Sequence, residues 1–497
     1  MLNGQIQLRP LDWLRQPALQ LALAGGLFWL CFLHLTLHYG LEAFVKRYPL
    51  TDFGRADNWS KASLIDFLVS IFGAFLIYIT AWQIVSRHGS DRRLIWIVAG
   101  VGLLAALTLL FMYPITATDL FDYVFHSRIL VHYGQNPLVV SPDAFKGDRF
   151  LRTVTWTSQP TPYGALWLVL TVPGSLLAGD NLILNLYLMK GLVILSYLGA
   201  TGLIWAILKH FNPSHRLAGT LLFAWNPLVL FETAGNGHND MLMMFFALLA
   251  VYLLVREQWA WVLPTVIAAM LVKYVVAILF LPFLVYCWKA QDGRRSRLRF
   301  LLKTGGLCIL LVLLAARFYV PLPKGLLSET DFYSLLAVPS LLFNLVTNAV
   351  GHQTAKTITV VTSLAIYLPL YALGLRRFAG APHLRRLIGL NTWLVTAYLV
   401  IACMQFQPWF VVWPIALGIW ADDSLGRRLL LVFTATALLS YAANFFWIWN
   451  IHRWQHVHVN LMFVALLFLP LLLVVVHTWL GTVRINHLKA AEILTKP

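Results

Sequence analysis

Long apolar segments, separated by short polar connections, recur from one end of this 497-residue chain to the other. Most of them are close to the ~20 residues that an α-helix needs to cross the hydrocarbon core of a bilayer. Inside lipid, each backbone polar group must find its partner within the segment, so a helix is the structure expected for each. The pattern predicts an all-α, polytopic helical membrane protein with about fourteen transmembrane helices and additional juxtamembrane helices.

Residues 113–163 interrupt the apolar pattern with four aspartates, two histidines and several basic residues. The stretch has too many aromatic and apolar residues for a disordered segment, and connections of this length in compact proteins are often functional. We therefore read the chain, residues 1–497, as one membrane domain in three parts. These are three N-terminal helices (1–112), an outer loop that is the candidate catalytic region (113–179) and the remaining bundle (180–497).

Charge sets the expected orientation. The chain is 60% hydrophobic and 11% charged, with a formal net charge of +17. A basic excess is typical of nucleic-acid binding, but in membrane proteins Lys and Arg collect in cytoplasmic loops. Basic clusters here alternate with less basic loops, which favours membrane topology over nucleic acid. We expect both termini in the cytoplasm, the first marked by Arg9 and Arg15, and the 113–163 loop on the outer face.

A short helix is predicted inside this loop, with Thr118 as its N-cap and with Gly134 and Pro137 ending it. At 100° per residue, one face of this helix carries Asp119, Asp122, Tyr123, His126, Leu130 and Tyr133, and Arg128 lies opposite. Two carboxylates and an imidazole on one face suit a general base or a metal site. A merely hydrated helix face remains the alternative.

Further ionisable residues lie at the predicted outer ends of apolar helices, where they are functional candidates. An apolar helix over residues 217–231 is followed by Glu232, His238 and Asp240, for which a hydrated hairpin tip is the alternative. Lys273 separates two short apolar segments, and Lys190 lies in the outer half of its helix. Either lysine could bind a lipid phosphate, or could extend its amine to the interface as an ordinary terminal lysine does.

Five short motifs resemble a known family. They are Asp119-Leu-Phe-Asp-Tyr, Pro162-Tyr-Gly-Ala-Leu-Trp, Asn226-Pro-Leu-Val-Leu followed by Gly235-Asn-Gly-His-Asn-Asp, Leu271-Val-Lys-Tyr, and Gln407-Pro-Trp-Phe-Val-Val-Trp. In this order and on one predicted face, they resemble the polyprenol-phosphate-sugar-dependent glycosyltransferases of the type C superfamily. The most similar branch is the prokaryotic polyprenol-phosphate-mannose-dependent α-mannosyltransferases. The resemblance extends over residues 113–414.

The resemblance implies an inverting enzyme of the prokaryotic plasma membrane that builds a cell-envelope glycan. It would move a hexose, with mannose favoured, from a polyprenyl-phosphate donor to a glycan or glycolipid acceptor at the outer face. Membrane lipid surrounds such an enzyme, and no nucleic acid takes part. The family's catalytic acid falls on Asp119, a second acid on Asp240, where it would orient the acceptor or a metal, and the phosphate-binding lysine on Lys273.

The remaining candidates are assigned supporting roles. Lys190 and Arg128 are additional candidates for the donor phosphate, and His126, His238 and Glu232 for support of the acids or for a metal. Cavity lining is assigned to Tyr123, Tyr163, His238, Gln407 and Trp409. Asp122 stands where some relatives carry a cation for phosphate, which leaves open a divalent cation, Mg²⁺ or Mn²⁺, bridged by Asp119 and Asp122.

Two other classes of protein compete with this hypothesis. A polytopic transporter or lipid flippase would also hold carboxylates and lysines among its helices, but it predicts acids near the bilayer midplane and broken helices in paired halves. A structural subunit with a partner-binding loop leaves Asp119, Asp240 and Lys273 without a shared role. The sugar, the acceptor and the linkage are not determined by these residues.

Overall fold

The computed structural model describes residues 16–48, 50–89, 91–321, 333–421, 423–450 and 456–494. Within these ranges the regular structure is helical, apart from one isolated β-bridge between Gly40 and Met112. The predicted all-α class is confirmed. Arg9 and Arg15, on which the orientation of the N-terminus rests, lie outside the described residues.

The α-helices follow one another along the chain with short connections. The first ten are α1 Pro17–His38, α2 Leu41–Arg47, α3 Phe53–Ala56, α4 Lys61–His88, α5 Arg93–Leu110, α6 Asp119–Val131, α7 Ala165–Ala178, α8 Leu182–Phe211, α9 Arg216–Ala224 and α10 Pro227–Leu230. The others are α11 Asp240–Val255, α12 Trp259–Met270, α13 Ala277–Lys289, α14 Gly293–Ala316, α15 Pro339–Val350, α16 His352–Gly380, α17 Leu384–Ile401, α18 Val412–Gly418, α19 Ser424–Asn450 and α20 His456–Leu494.

Nine helices of the described chain are long and apolar enough to cross a membrane, or ten if one bent pair counts as a single span. The nine are α1, α4, α5, α8, α14, α16, α17, α19 and α20. A polytopic membrane protein is confirmed, whereas the count of about fourteen is not. The difference lies in apolar helices of 10–17 residues, which at 1.5 Å per residue are shorter than the ~30 Å hydrocarbon core.

The helices pack around a core of large buried side chains. Trp225 stacks on Phe28 of α1 with ring centroids 5.2 Å apart, and its indole nitrogen donates to the carbonyl oxygen of Val98 in α5 at 2.9 Å. Other apolar side chains face outward, among them Leu37 at 75% and Trp96 at 78% exposure. Outward apolar surface on long helices is expected where the surroundings are lipid.

The predicted single helix over residues 217–231 is wrong, because the chain breaks at Asn226-Pro227. α9 ends at Ala224, α10 begins at Pro227, and the two pieces of the bent pair differ in direction by 48°. Proline lacks an N–H and disfavours helical geometry in the residue before it. The Asn226 carboxamide oxygen caps the new start by accepting from the backbone N–H groups of Leu228 and Val229 at 3.1 and 3.2 Å. A π-helical turn, Phe231–Gly235, follows and carries Glu232.

The predicted loop helix is confirmed as α6. Thr118 occupies the N-cap position but does not cap the helix with its side chain; its hydroxyl pairs with that of Thr155 at 2.6 Å. Gly134 lies beyond the C-terminus with a positive φ of 61°, a conformation that favours glycine. Through the contact between Thr118 and Thr155, the first turn of α6 lies beside the later part of the same loop.

Gly164, just before α7, joins two motifs that lie far apart in sequence. Its N–H donates to the carbonyl oxygen of Val272 at 3.0 Å, and the N–H of Leu166 donates to that of Leu271 at 2.9 Å. A Cβ atom at Gly164 would lie 2.1 Å from the Leu271 oxygen. Only glycine permits such close contact between the backbone at position 164 and the backbone of Leu271. This contact places Lys273 beside the 162–167 motif.

Candidate active site

A cavity of about 810 Å³ lies where α6, the loop after it, the α12–α13 connection and residues 405–410 meet. It is lined by the predicted site residues Asp119, Asp122, His126, Tyr163, Lys273, Gln407 and Trp409, and also by Trp156, Gln159, Pro160, Pro162, Gln405 and Phe410. The fold therefore brings three separate parts of the chain to one site.

Asp119 is the carboxylate most open to the cavity. It is the first residue of α6, where the helix dipole favours a negative charge, and its side chain is 21% exposed. Removal from water raises the pKa of Asp119 above its usual range, while attraction to His238 and Lys273 and a hydrogen bond with Tyr163 oppose that rise. A partly dehydrated carboxylate facing a cavity is suited to accept a proton.

His238 lies behind Asp119, between two carboxylates. Its Nδ1 is 3.6 Å from Asp119 Oδ2, and its Nε2 is 3.3 Å from Glu232 Oε2. The imidazole stacks on Trp409 with centroids 4.2 Å apart. Glu232, 1% exposed, also accepts a hydrogen bond from the Tyr441 hydroxyl at 2.5 Å. The order Tyr441, Glu232, His238, Asp119 forms a polar chain that ends at the cavity.

Asp240 and Lys273 form a mostly buried ion pair beside the same cavity. Lys273 Nζ lies 3.1 and 3.2 Å from the two oxygens of Asp240, and the Trp413 indole N–H donates to Oδ1 of the same carboxylate. Asp240 is 1% exposed and does not line the cavity, whereas Lys273 is 14% exposed and does. Lys273 also faces the Phe410 ring, with Nζ 4.9 Å from its centroid. Asp240 therefore positions a cation that is itself accessible to a ligand.

Asp122 and His126, one and two turns after Asp119, are both 2% exposed. Asp122 Oδ1 accepts hydrogen bonds from the backbone N–H groups of Thr155 and Trp156, each at 3.1 Å. Burial, and then repulsion from Asp119, raise the pKa of Asp122 to about 8. Burial lowers the pKa of His126 to about 3. Both shifts favour the uncharged form of the side chain at neutral pH.

Among the described residues, the acidic and imidazole groups do not form a metal site with three or more protein ligands. Asp119 and Glu232 lie on opposite sides of the His238 ring, so they cannot share one ion with it. One oxygen of Asp122 is already bound to two backbone N–H groups. Among the described residues no three His, Cys, Asp or Glu side chains form a group with metal-ligand spacing.

Six predicted site residues do not line the cavity. Asp240, His238 and Glu232 lie behind residues that do, so the predicted cavity lining by His238 is not observed, and Arg128, Lys190 and Tyr123 have other partners. Arg128 pairs with Asp148 through Nε and with Asp180 through Nη1 at 2.7 Å. Lys190 is fully buried and donates to the carbonyl oxygens of Leu109 and Met112 at 2.6 and 2.5 Å. The Tyr123 hydroxyl donates to the Asn239 side-chain oxygen at 3.3 Å. The geometry gives Arg128 and Lys190 structural partners, and we do not retain them as phosphate ligands.

Other residues of the site escaped the sequence analysis. Trp413 is the last residue of the motif that begins at Gln407, but its neighbours in the sequence do not indicate that it binds Asp240, which is 173 residues away. Tyr441 lies in the apolar helix α19 and reaches Glu232 across 209 residues. Trp156 lines the cavity, and the signal for it in the sequence is a tryptophan among the polar residues of the loop.

The chain is an all-α polytopic protein with an acid and a lysine in the lining of one cavity, and its similarity to mannosyltransferases places it in the class of type C membrane glycosyltransferases. The model of the family described as "Alpha-(1->6)-mannopyranosyltransferase, N-terminal domain" matches residues 32–290. That match covers 259 of the 497 residues, and the chain belongs to this family.

A curated relative is alpha-(1->6)-mannopyranosyltransferase A from Mycobacterium tuberculosis, which is 28% identical over 185 residues. The alignment covers 36% of this chain and 34% of the relative, so the chain matches about a third of that protein's length. The family match includes Asp119, Asp240 and Lys273. Residues 405–413 and Tyr441, which complete the site, lie beyond it.

Proposed function

We propose that this protein is an inverting glycosyltransferase that moves mannose from a polyprenyl-phosphate donor to a hydroxyl of a glycan or glycolipid. The observation that carries the proposal is the placement of Asp119 and Lys273 in the lining of one cavity. One group can take a proton and the other can bind a phosphate. The family membership supports mannose as the sugar and an α-(1→6) linkage as the product.

Asp119 acts as the general base in this mechanism. The acceptor oxygen attacks the anomeric carbon, its proton passes to an Asp119 oxygen, and the bond between the anomeric carbon and the phosphate oxygen breaks. Both electrons of that bond leave with the phosphate. Inversion needs one base and no enzyme nucleophile, and the buried Asp240 is already engaged by Lys273 and Trp413. An α-linked product formed with inversion requires a β-linked donor.

Lys273 stabilises the departing polyprenyl phosphate, which gains negative charge as the bond breaks. Asp240 holds Nζ from behind at 3.1 Å, and the amine retains donor capacity toward the cavity. His238 lies 3.6 Å from Asp119 and 3.3 Å from Glu232, and its attraction to Asp119 favours the ionised form of that carboxyl group.

The outer face of a prokaryotic plasma membrane is the proposed location. A polyprenyl donor keeps its tail in lipid, and the cavity lies close to the ends of apolar helices, among them α11, which begins at Asp240. No nucleotide is required, because the leaving group is a lipid phosphate. A transporter has no comparable support, since the family match favours a transferase.

The test is transfer of radiolabelled mannose from polyprenyl-phosphate mannose to a mannose oligosaccharide in proteoliposomes. Asp119→Asn keeps size and hydrogen bonding but removes the base, so we expect a loss of transfer of roughly 10²-fold or more. Asp143→Asn is the matched control, because Asp143 is an exposed aspartate of the same loop that does not line the cavity.

Unchanged transfer by the folded Asp119→Asn protein would refute the assignment of the base. Absence of transfer by the wild-type protein from any polyprenyl-phosphate hexose, with mono- and oligosaccharide acceptors, would refute the proposed reaction. An equal loss in the Asp143→Asn control would show that the loop as a whole, and not the base, was perturbed.

A further inference from the structure

Asp122 and His126, which line the cavity, hold buried polar atoms that lack partners among the described residues. Asp122 Oδ2 and both ring nitrogens of His126 form no hydrogen bond with the described residues, although each side chain is 2% exposed. Buried polar atoms are paired in the great majority of cases. Both residues line the cavity, so their free atoms are placed to bind a ligand there.

The hydrogen-bonding properties of these atoms favour uncharged ligand groups. With a pKa of about 8, Asp122 keeps its proton at pH 7 and Oδ2 becomes a donor. The uncharged imidazole of His126 offers one donor and one acceptor. Hydroxyl groups match this set, whereas a phosphate would call for a cation such as Lys273.

The two ends of the cavity differ in charge. The charges of Lys273, Asp240 and His238 affect the pKa of Asp119, whereas among the described residues the charge that raises the pKa of Asp122 is that of Asp119. Along α6, His126 lies about 10 Å from Asp119 at 1.5 Å per residue. The base therefore separates a charged end, suited to the donor phosphate, from a neutral polar end.

An aromatic surface completes the neutral end. Trp156 lines the cavity and is 43% exposed, and its backbone N–H is held by Asp122 Oδ1 at 3.1 Å. An indole face offers a large rigid apolar area against which the C–H face of a pyranose ring can pack. The carboxyl group thus fixes the position of the loop that carries this aromatic ring.

We infer that Asp122, His126 and Trp156 form a subsite for an uncharged sugar unit of the acceptor. Asp122 and His126 bind its hydroxyl groups, and Trp156 packs against its ring. The inference rests on the proposed function, because it assigns the neutral end of the cavity to the acceptor and leaves the Lys273 end to the donor.

The test is the equilibrium binding of α-(1→6)-linked mannotriose to the full chain in detergent. Binding is measured by calorimetry in the absence of any polyprenyl-phosphate donor. His126→Phe keeps a ring but removes both nitrogens, and we expect a loss of affinity of roughly tenfold or more. His132→Phe is the matched control, the same change at an exposed position after the same helix.

The variant Trp156→Ala, made at an exposed side chain, tests the subsite if His126→Phe fails to fold. Weaker binding by folded Trp156→Ala would support the proposal. Wild-type affinity in both His126→Phe and Trp156→Ala would overturn it, as would the absence of saccharide binding by the wild-type protein.

Transfer kinetics separate this inference from the proposed function. We expect His126→Phe to raise the KM for the acceptor by roughly tenfold or more while the KM for the polyprenyl donor is unchanged. If the donor KM rises instead, the subsite assignment is wrong and the transferase remains. If wild type binds mannotriose through these residues but transfers nothing, the reaction is wrong and the sugar subsite remains.

Discussion

Replacement of Lys273 by methionine tests whether the lysine serves catalysis or only balances a buried charge. The change keeps an unbranched side chain and removes the amine. Among the described residues, Asp240, which is 1% exposed, would then keep only the Trp413 N–H as a polar side-chain partner. Two unit charges 3.1 Å apart attract by about 5 kcal/mol at an effective dielectric constant of about 20.

The loss of stability should be close to this attraction, because a buried charge left without its partner costs about 3–5 kcal/mol. The double variant Asp240→Asn/Lys273→Met removes both charges and should recover most of that stability. Transfer should behave differently. Loss of a donor that stabilises the departing phosphate lowers kcat by roughly 10²–10³-fold, and the neutral pair has no cation to restore it.

The assay is a double-mutant cycle on the purified protein, with thermal unfolding and mannose transfer measured for the wild type, both single variants and the double variant. We expect the effects of the two substitutions on stability to be strongly coupled. We expect the double variant not to regain the mannose transfer that Lys273→Met loses. If the double variant regains transfer together with stability, Lys273 only neutralises Asp240, and the phosphate must bind elsewhere.

Three further predictions follow from the site. The raised pKa of Asp119 should place the acid limb of kcat/KM above the ordinary aspartate value of about 4; a limb at or below that value would contradict the role of burial. Asp122 binds its proton more tightly when folded, with a pKa of about 8. Stability should therefore fall as pH rises from about 4 through 8, and thermal unfolding of Asp122→Asn, compared with wild type at pH 6 and 9, should show less of this fall. Gly164→Ala places a Cβ 2.1 Å from the Leu271 oxygen and should cost about 1–3 kcal/mol with loss of transfer. A wild-type unfolding temperature would show that the Lys273 connection adjusts freely.

Much of the site could be predicted because its residues are unusual for their surroundings. Asp119, Asp240 and Lys273 are ionisable residues next to apolar segments, where charge is costly unless it has a role. The loop helix α6 could be predicted from its N-cap position and its stop at Gly134. Arg128 is also an ionisable residue of this loop and was predicted to bind phosphate, yet it pairs with Asp148 and Asp180. The sequence does not show which acidic residue a basic residue contacts.

The sequence by itself determined the class of fold, since the length and composition of apolar segments reflect the thickness of the bilayer and not tertiary contacts. It also determined which residues could carry charge chemistry. Only the tertiary structure decided which acid is free. Asp119 opens to the cavity, Asp240 is held by Lys273 and Trp413, and Asp122 is buried in uncharged form. Access to solvent and the distance to a counter-ion depend on residues that are far apart in the sequence, as Asp240 is from Lys273 by 33 residues and from Trp413 by 173. These quantities set the reactivity of a carboxylate.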